Sequence, residues 1–341
     1  MISGVPFVAV TRGDVVESVH AIAACAADTQ GNIALSYGDV DAPVYLRSAA
    51  KPFIAAAIVA SGAAAHFGFD ARELAVIAAS HNGEPFHVDA VRGILAKIGL
   101  GAADLRCGTH APSYEPAAAA LAAAGEAPSA LHNNCSGKHA GILAMCVHLG
   151  LDPATYLEPT HPAQRRILAL CARLVGEPLD ELPLGIDGCG IPVFATSLRA
   201  AALGFARVAT LIDISVADAQ ALQTVREAMA AEPAYVGGTA RFDSALLAVT
   251  GGHIIGKAGA EGVHADALLR SGLGLVIKVI DGGKRAVPPA TIALLDELGA
   301  FVPGEAQALA QFASPAVRNV AGRIVGAIKA RADTFEAVPA S

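Results

Sequence analysis

Ser48 and Lys51 lie three residues apart within residues 45–53, and this spacing suits a nucleophile and its base. On a helix, side chains at this spacing share one face, with Cβ atoms roughly 5–6 Å apart. A lysine must be neutral to act as a base, and burial beside Ala49 and Phe53 would lower its pKa. The alternative is that Ser48 caps a helix and Lys51 is a solvated first-turn residue. A Ser-x-x-Lys pattern alone does not separate the two.

Three further segments combine small residues with chemically active side chains. They surround Ser80, Cys135 and Cys189, and each is followed by a predicted helix. Glycine lets a ligand approach the backbone closely, and helix N-termini bind carboxylates. Together the segments predict a site for a small acidic substrate. Ordinary helix starts favour the same Ser, Asn, Asp and Gly residues, so each segment alone also has a purely structural interpretation.

Cys135 and Cys189 are candidate metal ligands. Neither belongs to a Cys-x-x-Cys pair, and free cysteines are commonly buried without any ligand. Beside Cys135, His139 is the conventional choice for a further ligand. Lys138 is a poorer choice on general grounds, because its amine must lose a proton before it can donate a lone pair. The spacing therefore leaves metal binding open.

The composition indicates a globular protein with a large core. Of its 341 residues, 54% are hydrophobic and 16% are charged. A net charge of −7 and the absence of Trp argue against a nucleic-acid partner. The sequence shows no basic amino-terminal region followed by an apolar stretch, and Gly, Pro or charge interrupts its other apolar stretches, so we expect a cytoplasmic protein. Six cysteines are too few for a disulfide scaffold of this length.

Strands are predicted at both ends of the chain and helices in its middle. Residues 7–37 indicate three antiparallel strands, and further strands are predicted at 252–259, 274–280 and 322–329. The periodicity predicts helices at 51–61, 70–79, 85–98, 140–149, 163–174, 216–231, 241–249 and 288–298. The expected fold is α/β of the α+β type, with one antiparallel sheet packed by the helical middle. We expect a mixed lobe of residues 1–50 plus 232–330, a mainly helical lobe of residues 51–231, and loose residues from Ala330 onward.

Six motifs together resemble one family. They are LRSAAKP at 46–52, ASHN at 79–82, RCGTH at 106–110, NNCSGKHAG at 133–141, PTHP at 159–162 and GIDGC at 185–189. In order and spacing they closely resemble the rhizobial-type (class 3) L-asparaginases, over roughly residues 5–330. Motifs of this length are far more specific than Ser-x-x-Lys.

The resemblance implies a homodimeric L-asparagine amidohydrolase whose fold is similar to serine β-lactamases, penicillin-binding proteins and serine-dependent glutaminases. Matched residue by residue, Ser48 is then the nucleophile and Lys51 its base. Ser80 and Lys257 form a second Ser-Lys pair beside them. The hypothesis is acyl transfer, in which Ser48 attacks the side-chain amide and water hydrolyses the resulting ester.

The resemblance also implies zinc. Family members bind it through two cysteines and a lysine, which match Cys135, Lys138 and Cys189 here. This ligand set replaces the choice of His139. We expect the zinc to organise the surrounding loops rather than to attack the amide.

Substrate recognition calls for groups that bind an α-carboxylate and an α-ammonium. The candidates are Arg47, Lys138, His139 and Asp187. The chain departs from several family members, which carry a cysteine shortly after the arginine that matches Arg241. Here Asp243 occupies that position. If Asp243 lines the site, substrate affinity or its pH dependence differs from those members.

Three alternatives to the asparaginase hypothesis are open. The first is a serine-dependent glutaminase or another small-amide hydrolase. The second is a zinc hydrolase in which metal-bound water attacks and Ser48 has no chemical role. The third is a non-catalytic sensor of amino acids, which the presence of both serines and both lysines disfavours.

Overall fold

Residues 7–331 are described by the structure, a computed structural model. The strands are β1 (Phe7–Arg12), β2 (Val15–Ala27), β3 (Ile33–Tyr37), β4 (Pro43–Tyr45), β5 (Leu184–Ile186), β6 (Pro192–Ser197), β7 (Ile254–Ala258), β8 (Val263–Leu268), β9 (Leu273–Val279), β10 (Ala316–Arg318) and β11 (Ile324–Arg331). The helices are α1 (Lys51–Ala60), α2 (Ala63–His66), α3 (Ala71–Ile77), α4 (Pro85–Lys97), α5 (Glu115–Ala123), α6 (Ser136–Leu149), α7 (Pro162–Val175), α8 (Leu198–Thr210), α9 (Val216–Ala231), α10 (Pro233–Val236), α11 (Phe242–Val249), α12 (Val287–Glu297), α13 (Glu305–Ala308) and α14 (Ala310–Ala313).

The main sheet joins the two ends of the chain. Its strand order is β10-β11-β1-β2-β9-β8-β7, and β3 also pairs with β2. The recorded pairs are antiparallel, with Phe7 opposite Arg331 where β1 meets β11 and Ala24 opposite Ile277 where β2 meets β9. A smaller sheet has the order β4-β6-β5. The predicted α+β class, with an antiparallel sheet from both chain ends, is confirmed.

The helices of the middle region cover one face of the main sheet. α1 is apolar all round because it is enclosed on all sides, and it packs against α6, α7 and α9. α8 lies on β9 and β2. At the start of α3, the predicted capping box is present: Asp70 accepts from the Glu73 amide, and Glu73 accepts from the Asp70 amide.

Two hydrophobic cores lie on opposite faces of the sheet. One contains α1 and α8 together with alternate residues of β7 and β8, such as Ile255 and Ala265. The other contains the remaining set, such as Ile254 and Leu268, beneath α11 and α12. Because side chains alternate between faces along a strand, Lys257 lies on the same face as Ile255.

Several predicted boundaries were wrong. α6 begins at Ser136 rather than at residue 140, so Lys138 and His139 lie in its first turn. Residues 185–192 lead from β5 into a second strand, β6, rather than into a helix. β8 was not predicted. Ala330 and Arg331, expected to be loose, belong to β11, and the rest of that expectation lies outside the described residues.

The division into a mixed lobe and a helical lobe stays a prediction, and residues 1–6 of the mixed lobe lie outside the described range. Across residues 7–331, the structure contains no helix with the length and apolar character needed to cross a membrane.

Candidate active site

Ser48 lies in a short 3-10 turn, Arg47–Ala50, that leads into α1. Its side chain is half-buried. The residue at the cap position of α1 is Ala50, whose side chain makes no capping hydrogen bond. The interpretation of Ser48 as the helix cap is therefore wrong, and its hydroxyl has no such structural duty.

The amine of Lys51 is buried beside Ser80. Lys51 is 1% exposed, and Nζ donates to the Ala79 carbonyl, to the Ser80 hydroxyl at 3.0 Å and to the Asn134 carbonyl at 3.2 Å. Burial lowers the pKa of Lys51 to about 8. The solvated-lysine alternative is therefore wrong. The recorded partners of Nζ do not include the Ser48 hydroxyl, so the role of Lys51 as the base for Ser48 stays a prediction.

Ser80 lies in the loop between α3 and α4. Its amide donates to the Val236 carbonyl at 3.0 Å. The next side chain, His81, contacts the Ser136 hydroxyl through Nε2 at 2.9 Å. Because the Ser136 hydroxyl donates to the Leu131 carbonyl at 2.9 Å, Nε2 of His81 must carry the proton. These bonds fix the loop that brings Ser80 to the lysine amine.

Lys257 is paired with Asp243 rather than with Ser80. Nζ of Lys257 donates to Oδ2 of Asp243 at 2.8 Å, and the same oxygen accepts from the Ala258 amide at 3.2 Å. Burial opposes the charged carboxylate, but Lys257 and other nearby cations lower the pKa of Asp243 to about 2. Burial also lowers the pKa of Lys257, against the attraction of Asp243. The sequence predicted that Lys257 pairs with Ser80, whereas in the structure Lys257 pairs with Asp243 and Ser80 with Lys51. The reason is that a fully buried ammonium requires a counter-charge.

Arg47 and Asp187 form a partly buried ion pair. Nε of Arg47 donates to Oδ1 of Asp187 at 2.8 Å, and a second guanidinium nitrogen lies 2.7 Å from the same oxygen. The Gly188 amide also donates to this oxygen at 2.7 Å. Burial would raise the pKa of Asp187, but Lys138 and Arg47 lower it. Two predicted substrate-recognition residues therefore lie in contact, although they are far apart in the chain.

Cys135, Lys138 and Cys189 converge. Nζ of Lys138 lies 2.9 Å from Sγ of Cys189. A hydrogen bond from Cys189, with the Lys138 charge, holds the pKa of Cys135 well below its usual range, while the same bond raises the pKa of Cys189. Burial opposes the charge of Lys138, but Cys135 and Cys189 raise its pKa above the usual value. Once these side chains lose their protons, the two sulfurs and the nitrogen are a donor set that fits a zinc ion. Residues 7–331 show no group of three or more His, Cys, Asp or Glu side chains suited to a metal.

His139 contacts Tyr156 rather than Cys135 or Cys189. Its Nδ1 lies 2.7 Å from the Tyr156 hydroxyl, which accepts from the Arg106 amide at 2.9 Å. Nδ1 is thus paired with the Tyr156 hydroxyl, and Nε2 is the second ring nitrogen. Burial holds the pKa of His139 well below its usual range. Among the described residues, Nε2 of His139 has no hydrogen-bond partner, so this atom is left for a ligand or a water molecule.

One pocket connects most of these groups. Arg47, Ser48, Lys51, Lys138 and Asp187 line it together. The rest of its wall is apolar apart from one thiol, and consists of Ala50, Ile54, Ile167, Leu168, Cys171, Ile191, Pro192, Val193 and Phe194. The pocket therefore places a hydroxyl, two amines and an ion pair around a small space.

Sequence reasoning missed two supporting groups. Asp243 was identified as a departure from the family, but its pairing with Lys257 was not foreseen. Nothing in the sequence marks Tyr156 as the partner of His139, because the two residues are 17 positions apart and only the fold brings them together.

Comparisons with known proteins bear on this site. A family model described as L-asparaginase II matches residues 8–330. Comparison with curated proteins finds no match. A crystal structure of Mglu is 13% identical with a TM-score of 0.38, and the match covers 83% of this chain and 68% of that one. Mglu in its glutamate form is 15% identical with a TM-score of 0.39, covering 83% of this chain and 61% of that one.

A candidate beta-lactamase from Bacteroides dorei DSM 17855 is 15% identical with a TM-score of 0.37, covering 86% of this chain and 94% of that one. At TM-scores below 0.5, these structural likenesses carry no argument. The family model carries the assignment, because its match extends over nearly the whole described chain and over every residue of the pocket. The chain belongs to the L-asparaginase II family and is an amidohydrolase of the asparaginase type.

Proposed function

We propose that this chain hydrolyses L-asparagine to L-aspartate and ammonia through an acyl-enzyme on Ser48. The observation that carries the proposal is the pocket in which a half-buried hydroxyl, a buried amine and the Arg47–Asp187 pair face one small space. Its polar groups match a small zwitterion with a side-chain amide, and the space, about 10 Å³ in this structure, must widen to admit one. Nucleophile, base and recognition groups are the parts that acyl transfer requires.

In the first step Ser48 attacks the side-chain amide carbon while its proton passes to neutral Lys51. The Lys51–Ser80 hydrogen bond of 3.0 Å offers a path for that proton to the leaving nitrogen, which departs as ammonia. Water then attacks the β-aspartyl ester, gives its proton to the same relay and releases aspartate and the Ser48 hydroxyl. Lys257, held by Asp243, supplies positive charge near the developing oxyanion or the relay.

Arg47 and Asp187 bind the amino-acid head. The guanidinium is suited to the α-carboxylate and the Asp187 carboxylate to the α-ammonium. Lys138 lines the same pocket, and His139 has a free ring nitrogen, so both remain candidates for further substrate contacts.

Cys135, Lys138 and Cys189 would hold a zinc ion. When bound, zinc supplies a fixed centre that ties the start of α6 to the hairpin between β5 and β6 and leaves a position for one more ligand. The catalytic steps above use only the side chains of this chain. Cys135→Ala should lose zinc in elemental analysis of protein purified without added metal, and Cys146→Ala, a buried cysteine outside the set, should keep it. Zinc retained in Cys135→Ala would remove this ligand set.

The active form is a homodimer in the cytoplasm. Apolar side chains on the small sheet support a contact between copies, since Tyr45, Leu184 and Ile186 are 43%, 42% and 63% exposed. All six cysteines are free and buried, as expected in a reducing compartment. Light scattering of the wild type and of Ile186→Glu tests the dimer, and a monomeric wild type would contradict it.

Ser48→Ala tests the mechanism directly. The variant should fold, as judged by circular dichroism and melting temperature, and release no ammonia from asparagine. Ser271→Ala, an exposed serine in a turn, is the matched control. Near-normal turnover by Ser48→Ala would refute the assignment of Ser48 as the nucleophile. If a chelator then abolished that remaining turnover, the protein would be a zinc hydrolase. Faster hydrolysis of glutamine than of asparagine by the wild type would identify a glutaminase instead.

A further inference from the structure

A second buried acid–base pair lies near Lys257 and has no part in the mechanism above. Nε2 of His264 donates to Oδ1 of Asp266 at 2.9 Å, and both residues are 0% exposed. Within the described residues, Nδ1 of His264 and Oδ2 of Asp266 have no hydrogen-bond partner. Replacing a buried pair of this kind by apolar residues is often neutral or stabilising, so its presence points to a positional role rather than to stability.

The pair lies directly beneath the backbone of β7. Gly256 is opposite Asp266 in the strand register. A Cβ at Gly256 would be 2.6 Å from Oδ1 of Asp266 and 3.2 Å from Nε2 of His264, so only glycine allows this approach. The next residue, Lys257, projects to the opposite face of the sheet. The His264–Asp266 pair therefore packs against one face of β7 at Gly256, and the side chain of the next residue, Lys257, projects from the other face.

The same pair contacts the helix that carries Asp243. The imidazole of His264 packs against the ring of Phe242, with ring centroids 5.3 Å apart. Phe242 is the first residue of α11 and is followed at once by Asp243. Oδ2 of Asp243 must reach both the Lys257 amine and the Ala258 amide, at 2.8 and 3.2 Å. A shift of α11 along β7 would break both bonds.

We propose that His264 and Asp266 are positioning residues that fix the start of α11 on β7, so that Asp243 holds the Lys257 ammonium toward the active site. The inference rests on the proposed function, because it assigns the Lys257 ammonium a place in the acyl-transfer step. The two residues touch neither substrate nor Ser48. Their effect passes through Asp243, and it belongs to the chemical step rather than to substrate binding.

His264→Leu and Asp266→Ala remove the hydrogen bond, because neither new side chain can donate or accept one. Each should lower kcat for asparagine by about 10- to 100-fold, as misplacement of a catalytic group does, with KM nearly unchanged. His264→Gln, whose amide can still donate to Asp266, should recover most of kcat. The matched control is His253→Leu, which breaks another His–carboxylate pair of 2.9 Å, with Glu305, in the same lobe.

A second measurement does not depend on activity. Hydrogen exchange of the Ala258 amide should accelerate in His264→Leu and Asp266→Ala, because Asp243 no longer accepts from that amide. It should stay unchanged in His253→Leu. Folded variants with wild-type kcat and wild-type Ala258 exchange would overturn the proposal, and so would an equal loss of kcat in the control. A wild type that does not hydrolyse asparagine would refute the proposed function, whereas the exchange result would still report on the pair.

Discussion

Replacing Asp243 by asparagine removes the counter-charge of a lysine that is fully enclosed by protein. Lys257 is 0% exposed and Asp243 is 2% exposed. Asparagine keeps the size of the side chain and an oxygen that can accept from Lys257, so the change isolates the charge. The expected result is a large loss of stability with the fold retained.

The size of the loss follows from the two partners. The pKa of Asp243 falls from 3.8 to about 2, and at about 1.4 kcal/mol per unit this favours the charged form by roughly 2–3 kcal/mol. Breaking a buried pair while leaving the other charge in place costs about 3–5 kcal/mol. We expect the free energy of unfolding at neutral pH to fall by about 3 kcal/mol, measured by urea denaturation.

The dependence on pH has a definite sign. Because the folded pKa of Asp243 is depressed, its contribution is complete above its ordinary value of 3.8 and is lost as the pH falls toward about 2. The gap in unfolding free energy between wild type and Asp243→Asn should therefore be constant from neutral pH down to about pH 5 and should narrow below about pH 4.

The control is Asp89→Asn, which breaks an ion pair of 2.8 Å with Arg92 whose side chains are 70% and 62% exposed. Solvent screens such a pair, so no measurable change is expected. Equal stability of Asp243→Asn and wild type at neutral pH would refute the reasoning. If the difference in unfolding free energy between wild type and Asp243→Asn stayed constant down to about pH 3, the charge of Asp243 would not be the cause of that difference.

Further predictions concern packing, a buried hydrogen bond and substrate binding. Gly137→Ala should lower the unfolding free energy by about 1–3 kcal/mol, because the new Cβ would lie 2.1 Å from the Val76 carbonyl; an unchanged urea midpoint would contradict this. Tyr156→Phe should cost about 1–3 kcal/mol by the same measurement, since it removes the hydroxyl that satisfies Nδ1 of His139. Asp187→Asn should raise KM for asparagine by roughly 10-fold or more through loss of a charged hydrogen bond, and a KM equal to that of the wild type would remove Asp187 from substrate recognition.

The sequence was sufficient for features that depend on local pattern. The capping box at Asp70 and Glu73 and the apolar helix from Lys51 follow from spacing and composition, and both are present. The antiparallel pairing of the chain ends could also be predicted, because strands at both ends with helices between them have few other ways to form one sheet.

What the sequence could not supply depends on contacts between distant segments. β8 was missed because His264 and Asp266 interrupt its apolar run, and polar residues in a short segment are typical of a loop. Only the structure shows that the two side chains form a hydrogen bond with each other inside the protein. The Lys257–Asp243 pair was missed for a similar reason, since a helix and a turn separate the partners and only the fold shows which acid reaches the amine. Long motifs identified the family, but they could not show that Lys51 meets Ser80.

The backbone of Arg47 has a consequence for how this chain tolerates mutation. Its φ of 52° lies in the left-handed region, which glycine and asparagine adopt most readily. Yet the position also needs a guanidinium to pair with Asp187. Glycine or asparagine would relax the turn and lose the ion pair, whereas most other residues would keep the strain and lose the ion pair as well. Two unrelated demands thus meet at the residue before Ser48, and few substitutions can satisfy both.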